Sequence, residues 1–243
     1  MSQPQPKPFG NAAPTDSSWK ALWLVGGITA LLSIALAPAE VVISLVPGVE
    51  DISTRTVTVA DWFALFQNHW FLGLRNLGLL NLVGAALLVP TILAIYSVLR
   101  RDSAAFAALA AVLFFVGIAV YLAGSRAFPM LSLSRRYVSA TTDSQRSLLA
   151  AAGQAMLAEG ESRAGLLLIE FAFLITATVM SRSKVFSKAT AYAGMLGSML
   201  MMVLEIAFTP PHGTGMVIAA TGGLLMMAWF FLTGRKLLQL GRL

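Results

Sequence analysis

Long apolar runs alternate with short polar segments along most of this 243-residue chain. Six runs are long enough to cross the roughly 30 Å hydrocarbon core of a membrane as helices. They cover approximately residues 19–45, 70–99, 104–124, 163–180, 190–208 and 216–233. The pattern predicts an all-α fold, a polytopic bundle of six transmembrane helices that forms a single domain over residues 19–243.

Residues 1–18 are rich in Pro, Gln and Ser and lack the apolar side chains of a folded core, which predicts a disordered tail. The first apolar run could instead be a cleaved signal peptide, because Ala35-Leu36-Ala37 and Ala37-Pro38-Ala39 resemble small-residue cleavage sites. The run is longer than the apolar region of about 7–15 residues in signal peptides, and little positive charge precedes it. We therefore favour an uncleaved first helix.

Two further features modify the simple six-run pattern. Val59 to Gln67 has apolar residues at helical spacing, which predicts an interfacial helix after an extended segment from Asp51 to Thr58. Pro90 lies well inside the second run, and proline removes a backbone hydrogen bond from a helix. We therefore expect a kink near Gly84 to Pro90.

The longest polar segment inside the apolar region, Arg126 to Glu161, separates the third and fourth runs. Within it, Thr142-Asp143-Ser144-Gln145 matches a capping box. The apolar residues that follow at helical spacing are Leu148, Leu149, Ala152 and Met156. This pattern predicts an amphipathic helix from Asp143 to about Ala158, which lies on the membrane surface or over the mouth of the bundle.

The composition supports a membrane protein, since 57% of the residues are hydrophobic and only 12% are charged. Soluble domains carry about 25% charged residues. The absence of cysteine excludes disulfides and thiol chemistry. The net charge of +6 would suggest nucleic acid as the partner of a soluble protein, but here basic loops beside a bilayer explain it, and we expect no nucleic-acid partner.

The basic residues also predict the orientation. The side that holds both termini carries ten Lys and Arg residues against two acidic residues, whereas the other side carries seven against nine. Basic loops stay in the cytoplasm. We therefore predict a multi-pass protein of the cytoplasmic (inner) membrane with both termini inside, so that the Arg126–Glu161 segment faces outward.

Charged residues within or beside the spans are the candidate functional residues, because a charge in lipid is costly. Alternating threading of the spans places all of them toward the outer half of the bilayer: Glu40, Arg75, Arg126, Glu170 and Glu205. In one interpretation they line a pocket for a polar ligand, a lipid headgroup or a proton, in which the arginines bind anions and Glu170 changes protonation. In the other, which we favour, they neutralise one another and fix helix packing.

Other chemistry has weaker support. His69, His212 and Glu205 could form a metal site, but interfacial histidines explain the first two better. The methionines of the last two runs are better explained by flexible helix packing than by a metal track. Gly194 to Ser198 and Gly222-Gly223 suit close helix contact. The sequence contains no phosphate loop and no nucleophile elbow, so we predict no catalytic residues, no metal and no cofactor.

Three segments resemble a known family: Phe128–Ser134, Tyr137–Ala155 and Ser181–Gly194. They are similar to six-span proteins of bacteria and archaea that belong to, or lie close to, the family called domain of unknown function 4386. The resemblance extends over about Trp70 to Phe208. It implies an α-helical integral protein of the prokaryotic inner membrane, and it carries over no catalytic or binding residues.

We expect a non-enzymatic protein, namely an accessory, sensory or assembly component with an outward-facing polar layer. Its partners would be the lipid bilayer and a protein, lipid or small polar ligand at the outer face. The alternative is a small-solute or proton-coupled transporter that uses the intramembrane Glu and Arg residues, and an intramembrane enzyme is the third hypothesis. The sequence gives no oligomeric state.

Overall fold

The computed structural model of the chain describes residues 17–44, 58–159, 162–206 and 212–242. These ranges form ten helices and contain no strand. In chain order the helices are α1 (Ser17–Ser44), α2 (Val59–Asn68), α3 (Trp70–Asn76), α4 (Leu79–Leu99), α5 (Ala104–Ala123), α6 (Ala127–Ser139), α7 (Asp143–Glu159), α8 (Arg163–Arg182), α9 (Lys188–Ile206) and α10 (His212–Arg242).

Six of these helices are long and apolar enough to cross a membrane, namely α1, α4, α5, α8, α9 and α10. The predicted all-α, six-span fold class is therefore confirmed, and the chain is a multi-pass membrane protein. Most of the predicted tail over residues 1–18 lies outside the described residues, but Ser17 and Ser18 begin α1 and are therefore helical. The predicted extended segment from Asp51 to Thr58 also lies outside them, except for Thr58.

The six spans pack into a ring. Helix α1 packs between α4 and α10, and α9 packs between α10 and α8. Helix α5 packs extensively against α8 and less extensively against α4, which closes the ring in the order α4, α1, α10, α9, α8, α5. Many large apolar side chains of the spans remain exposed on the outside of this ring, where they can face lipid.

Glycine residues set the distance between neighbouring spans. A Cβ atom on Gly165 of α8 would lie 2.7 Å from the backbone nitrogen of Tyr121 and 2.9 Å from the carbonyl oxygen of Gly117, both on α5. In α1, a Cβ atom on Gly27 would lie 2.8 Å from the carbonyl oxygen of Gly234 on α10. Backbones approach this closely only where the side chain is absent, as is common between membrane helices.

Hydrogen bonds between buried side chains join α1 to α4. The indole Nε1 of Trp23 donates to Ser97 Oγ at 2.6 Å. The hydroxyls of Thr29 and Thr91 lie 2.9 Å apart, and Thr91 also donates to the carbonyl oxygen of Gly26 at 3.0 Å. Because lipid offers no competing donors or acceptors, these bonds hold α1 and α4 in a fixed register.

Aromatic side chains fill the inside of the ring between α5, α8 and α10. The ring centroids of Phe114 and Phe173 lie 5.8 Å apart, and those of Phe173 and Trp229 lie 5.3 Å apart. Phe114 and Trp229 are fully buried. This part of the interior is therefore a packed core.

Two boundaries differ from the sequence prediction. The second span begins at Leu79 instead of Trp70, because Gly78 adopts a left-handed conformation with φ of 88° that ends α3. Helix α4 stays helical through Pro90, and the kink expected near Gly84 to Pro90 stays a prediction. Helix α10 continues to Arg242 through the predicted basic tail, because Leu237 is fully buried there.

The four remaining helices, α2, α3, α6 and α7, form a cap at one end of the ring. All four lie at the end where α1, α5 and α9 finish and where α4, α8 and α10 begin. Helix α6 contacts α2, α3 and α7, and α3 leads into α4. The opposite end of the ring, which holds residues 17 and 242, is called the terminal end below.

The glycine contact between α5 and α8 can be tested by adding one methyl group. We expect Gly165→Ala to destabilise the protein by roughly 1–3 kcal/mol, because the added Cβ atom meets backbone atoms of Tyr121 that cannot rotate away. Thermal unfolding of the purified protein in detergent, followed by circular dichroism, measures the effect.

The matched control is Gly223→Ala in α10, since a Cβ atom there would meet nothing within 4 Å. This change should leave stability unaltered or raise it by up to about 1 kcal/mol, because alanine favours the helix. Equal melting temperatures for the two variants would show that close approach at Gly165 does not support the fold.

Candidate functional site

The five sequence-predicted residues lie in three different environments at the cap end. Arg75 is on the short cap helix α3 and Arg126 is the residue before α6, so that both lie outside the spanning helices. Glu170 and Glu205 lie on the spans α8 and α9. Glu40 lies near the end of α1, and its side chain is outside the described part of the chain.

Arg75 is almost completely buried, with 3% of its surface exposed. Its Nη1 donates a hydrogen bond to Asn76 Oδ1 at 3.0 Å. The guanidinium also lies in the last turn of α3, where a positive charge interacts favourably with the helix dipole. The sequence places Arg75 near the start of the second span, whereas the break at Gly78 puts it on α3, ahead of the long helix α4.

Arg126 connects two parts of the cap. Its Nη1 donates a hydrogen bond to the carbonyl oxygen of Leu157 at 3.2 Å, near the end of α7. It also lines a crevice with a volume of about 10 Å³, together with Gly78, Gly124, Ser125 and Ser162. Ser125 Oγ is buried and makes no hydrogen bond to the described residues. This space is sufficient for about one water molecule and too small for an anionic ligand.

Glu170 and Glu205 lie on the neighbouring spans α8 and α9, in the half of the ring nearer the cap. Glu170 lies roughly 10 Å along α8 from its first residue, at about 1.5 Å of rise per residue. Its Oε2 is buried without a hydrogen bond to the described residues. The structure therefore places these two residues of the predicted cluster on adjacent spans, whereas Arg126 bonds to the cap helix α7.

The cap has a hydrophobic core of its own. Its buried side chains are Val59, Trp62, Phe63, Phe66, Leu74, Ala127, Met130, Leu133, Ala140 and Leu149. Ser134 Oγ donates to the carbonyl oxygen of Phe63 at 3.0 Å, which joins α6 to α2. Gly153 allows α7 to approach α2, since a Cβ atom there would lie 2.8 Å from Val59 Cγ1. These contacts make the cap a preformed unit.

Helix α7 covers the segment in which the sequence predicts a helix, Asp143 to about Ala158. Leu149 and Gly153 are buried against the cap, and Met156 is half-buried. Leu148 was assigned to the same apolar face, but 72% of its surface is exposed, because α7 turns that side of the helix outward. The location of α7 on a membrane surface stays a prediction.

Helix α6 was missed by the sequence analysis. Its arginines and serines made Ala127 to Ser139 resemble a polar loop, yet Ala127, Met130, Leu133 and Ser134 are buried at helical spacing. That periodicity was the available signal. Arg135, Arg136 and Val138 point outward from the same helix, and Val138 is 59% exposed.

The exposed corner between α6 and α7 combines positive charge with apolar surface. Arg146 Nη2 donates to the carbonyl oxygen of Ala140 at 3.3 Å, and its Nη1 lies 3.6 Å from Asp143 Oδ1. The bond to Ala140 joins α7 to the residue that follows α6, across the turn between the helices. We call the exposed side chains of Arg135, Arg136, Val138 and Leu148 the corner patch.

Metal binding gains no support from the described residues. They contain no group of three or more His, Cys, Asp or Glu side chains that could hold a metal ion. His69 is exposed between α2 and α3, and the side chain of His212 is not described.

Comparison with known proteins identifies one family. The model of a domain of unknown function, DUF4386, matches residues 24–234. This match covers most of the chain and extends beyond the Trp70–Phe208 region that carried the resemblance. Comparisons with curated proteins and with solved structures give no match.

The first turn of α2 should depend on pH through Asp61. The Thr58 hydroxyl donates to Asp61 Oδ2 at 2.6 Å and the Thr58 backbone N–H donates at 2.8 Å, which together lower the pKa of Asp61 below its ordinary value. A lowered pKa in the folded state stabilises the turn above the pKa of the unfolded chain, and this is lost as pH falls through the folded value. We expect amide protection at the start of α2 to decrease below about pH 4.

Hydrogen exchange measured by mass spectrometry, corrected for the intrinsic rate, tests this expectation. Asp61→Asn should remove the pH dependence, whereas Asp143→Asn, at the start of α7, should leave the α2 profile unchanged. An identical profile in the wild type and in Asp61→Asn would contradict a stabilising role of this carboxylate.

Proposed function

Since the chain belongs to the DUF4386 family, whose function is unknown, we propose a function from its own geometry: it is a non-enzymatic accessory or assembly component that binds a partner protein through its cap. The observation that carries the proposal is the corner patch, which a preformed four-helix cap holds in place. The membrane spans anchor this platform beside the bilayer.

The rigidity of the cap supports a binding role. Surfaces that bind without rearrangement lose less conformational entropy on association. Here the Ser134 bond to Phe63 joins α6 to α2, and the Arg126 bond to Leu157 joins the start of α6 to α7. The corner patch is therefore presented in one arrangement.

The chemistry of the corner patch favours an acidic partner with an apolar anchor. Arg135 and Arg136 supply positive charge on α6, and Leu148 supplies an exposed apolar side chain on α7. Interfaces combine an apolar centre with complementary charges at the rim, which guide association. We infer that a partner segment covers Leu148 and places carboxylates near the two arginines.

The charge distribution supports the location. The basic bias of the terminal end favours a cytoplasmic position for both termini, in the inner membrane of a prokaryote. With this orientation the cap and its corner patch face outward, away from the cytoplasm.

Site-specific photo-cross-linking tests the cap as a partner site. A photoreactive residue at position 148, in the full-length chain in its native membrane, should form one discrete protein adduct. Arg135→Glu with Arg136→Glu should reduce the yield by roughly fivefold, because reversed charges repel the acidic partner. The matched control position is Val116, which is 48% exposed on the span α5.

The adduct pattern decides between the alternatives. A protein adduct at 148 that is absent at 116 and sensitive to the charge reversal supports the proposal. Equal labelling at both positions, or adducts with phospholipid alone at 148, would overturn it, because the corner patch would then face lipid.

A proton-coupled transporter is the second candidate, favoured by the arrangement of Glu170 and Glu205. Two carboxyl groups that share a poorly solvated site are a common way to hold an exchangeable proton. The packed aromatic residues between α5, α8 and α10 argue against a wide pathway on that side of Glu170. The carboxyl pair at the α8–α9 interface is therefore the place to test.

Proteoliposome measurements decide this second candidate. Glu170→Gln should abolish proton flux under an imposed pH gradient, because the amide cannot exchange a proton, and Asp143→Asn in the cap should leave the flux unchanged. Flux in Glu170→Gln at the wild-type level per folded molecule would exclude transport through this pair. A change in folding yield alone would indicate a structural role for Glu170.

A further inference from the structure

A groove lies between α5 and α8 at the terminal end, on the outside of the ring. It has a volume of about 520 Å³. Phe106 of α5 and Phe171, Leu174 and Ile175 of α8 form its apolar walls. Phe106 and Phe171 are 56% and 46% exposed, so the groove opens toward the surrounding lipid. Its lining includes no cap residue and neither Glu170 nor Glu205.

The groove has the length of one bilayer leaflet. Its α8 side runs along the helix from Phe171 to Arg182, which is a stretch of twelve residues. At about 1.5 Å of rise per residue this stretch is roughly 16 Å long. Half of the hydrocarbon core is about 15 Å thick. The apolar walls therefore match an acyl chain, and the open end lies at the depth of the headgroups.

Two opposite charges flank the open end. Asp102 precedes α5 and Arg182 ends α8, and both side chains line the groove and are exposed. No ion pair joins these two side chains in the ranges that the structure describes. The polar end of the groove therefore offers one anionic and one cationic group to a ligand.

We propose that this groove binds one phospholipid with an ethanolamine headgroup, whose phosphate binds Arg182 and whose ammonium binds Asp102. The acyl chain lies along Phe106, Phe171 and Leu174. A guanidinium binds phosphate through paired N–H donors. The carboxylate accepts hydrogen bonds from the primary ammonium, and it could accept none from the trimethylated nitrogen of a choline headgroup.

The charge of Asp102 selects against anionic headgroups. The neighbouring Arg100 and Arg101 would attract a phosphatidylglycerol by charge alone. A carboxylate in the groove itself repels the anion and leaves a complementary site for a zwitterionic lipid. If the termini are cytoplasmic, the bound lipid belongs to the cytoplasmic leaflet.

Native mass spectrometry of the full-length protein tests the site. The delipidated protein in detergent is mixed separately with phosphatidylethanolamine, phosphatidylcholine and phosphatidylglycerol, and the retained lipid is counted. We expect about fivefold higher retention of the ethanolamine lipid than of the other two. A ratio of this size corresponds to the free energy that one partly exposed ion pair contributes. Asp102→Asn should remove this preference, and Arg182→Gln should reduce retention of all three lipids by about fivefold.

A matched pair of variants tests the apolar part of the groove. Leu174→Trp fills it and should reduce retention of the ethanolamine lipid severalfold, whereas Leu196→Trp, on the exposed face of α9, should have no effect. If Leu174→Trp fails to fold, the comparison of lipid preference between the wild type and Asp102→Asn still tests the proposal. Equal retention of the three lipids, a preference for phosphatidylglycerol, or unchanged binding in folded Leu174→Trp would each overturn the proposal.

Discussion

Close approach of helix backbones at glycine is the constraint on which the ring depends. Lipid is as apolar as the side chains it contacts, so burial from water adds little to packing between spans. Dispersion contacts and hydrogen bonds must provide the attraction, and both increase as the backbones approach. Gly165 on α8 and Gly27 on α1 allow that approach on opposite sides of the ring. The bonds among Thr29, Thr91 and Gly26 and the rings around Phe173 depend on the same short separations.

The cap is stabilised in a different way from the ring of spans. Its helices are short and pack around a compact apolar core that includes Phe63 and Met130, as in a small soluble domain. Short helices need capping and tertiary contacts, which the capping box of α2 and the bond from Arg126 to Leu157 provide. The protein therefore joins a cap stabilised by side-chain burial to a bundle stabilised by backbone proximity.

The spans could be predicted because the thickness of a bilayer imposes a length and an apolarity that one segment shows alone. The features that could not be predicted depend on contacts between residues that are far apart in the sequence. Gly78 interrupts the second apolar run because Leu74 is buried in the cap core, which lies elsewhere in sequence. The same break moved Arg75 out of the span. The exposed arginines of α6 made this segment resemble a polar loop in the sequence. The glycine contact between α5 and α8 could not be predicted, because the sequence does not show which spans are neighbours. The sequence identifies both Glu170 and Glu205, but only the ring shows that they lie on neighbouring helices.

The crevice beside Arg126 is the meeting point of three connections between cap and ring. Gly78 joins α3 to α4, Gly124 and Ser125 lie between α5 and α6, and Ser162 precedes α8, and all of them line this one space. The connections of the cap to α4, α5 and α8 therefore meet at this one crevice. A displacement of the cap therefore reaches these three helices together, through the residues that line this one crevice.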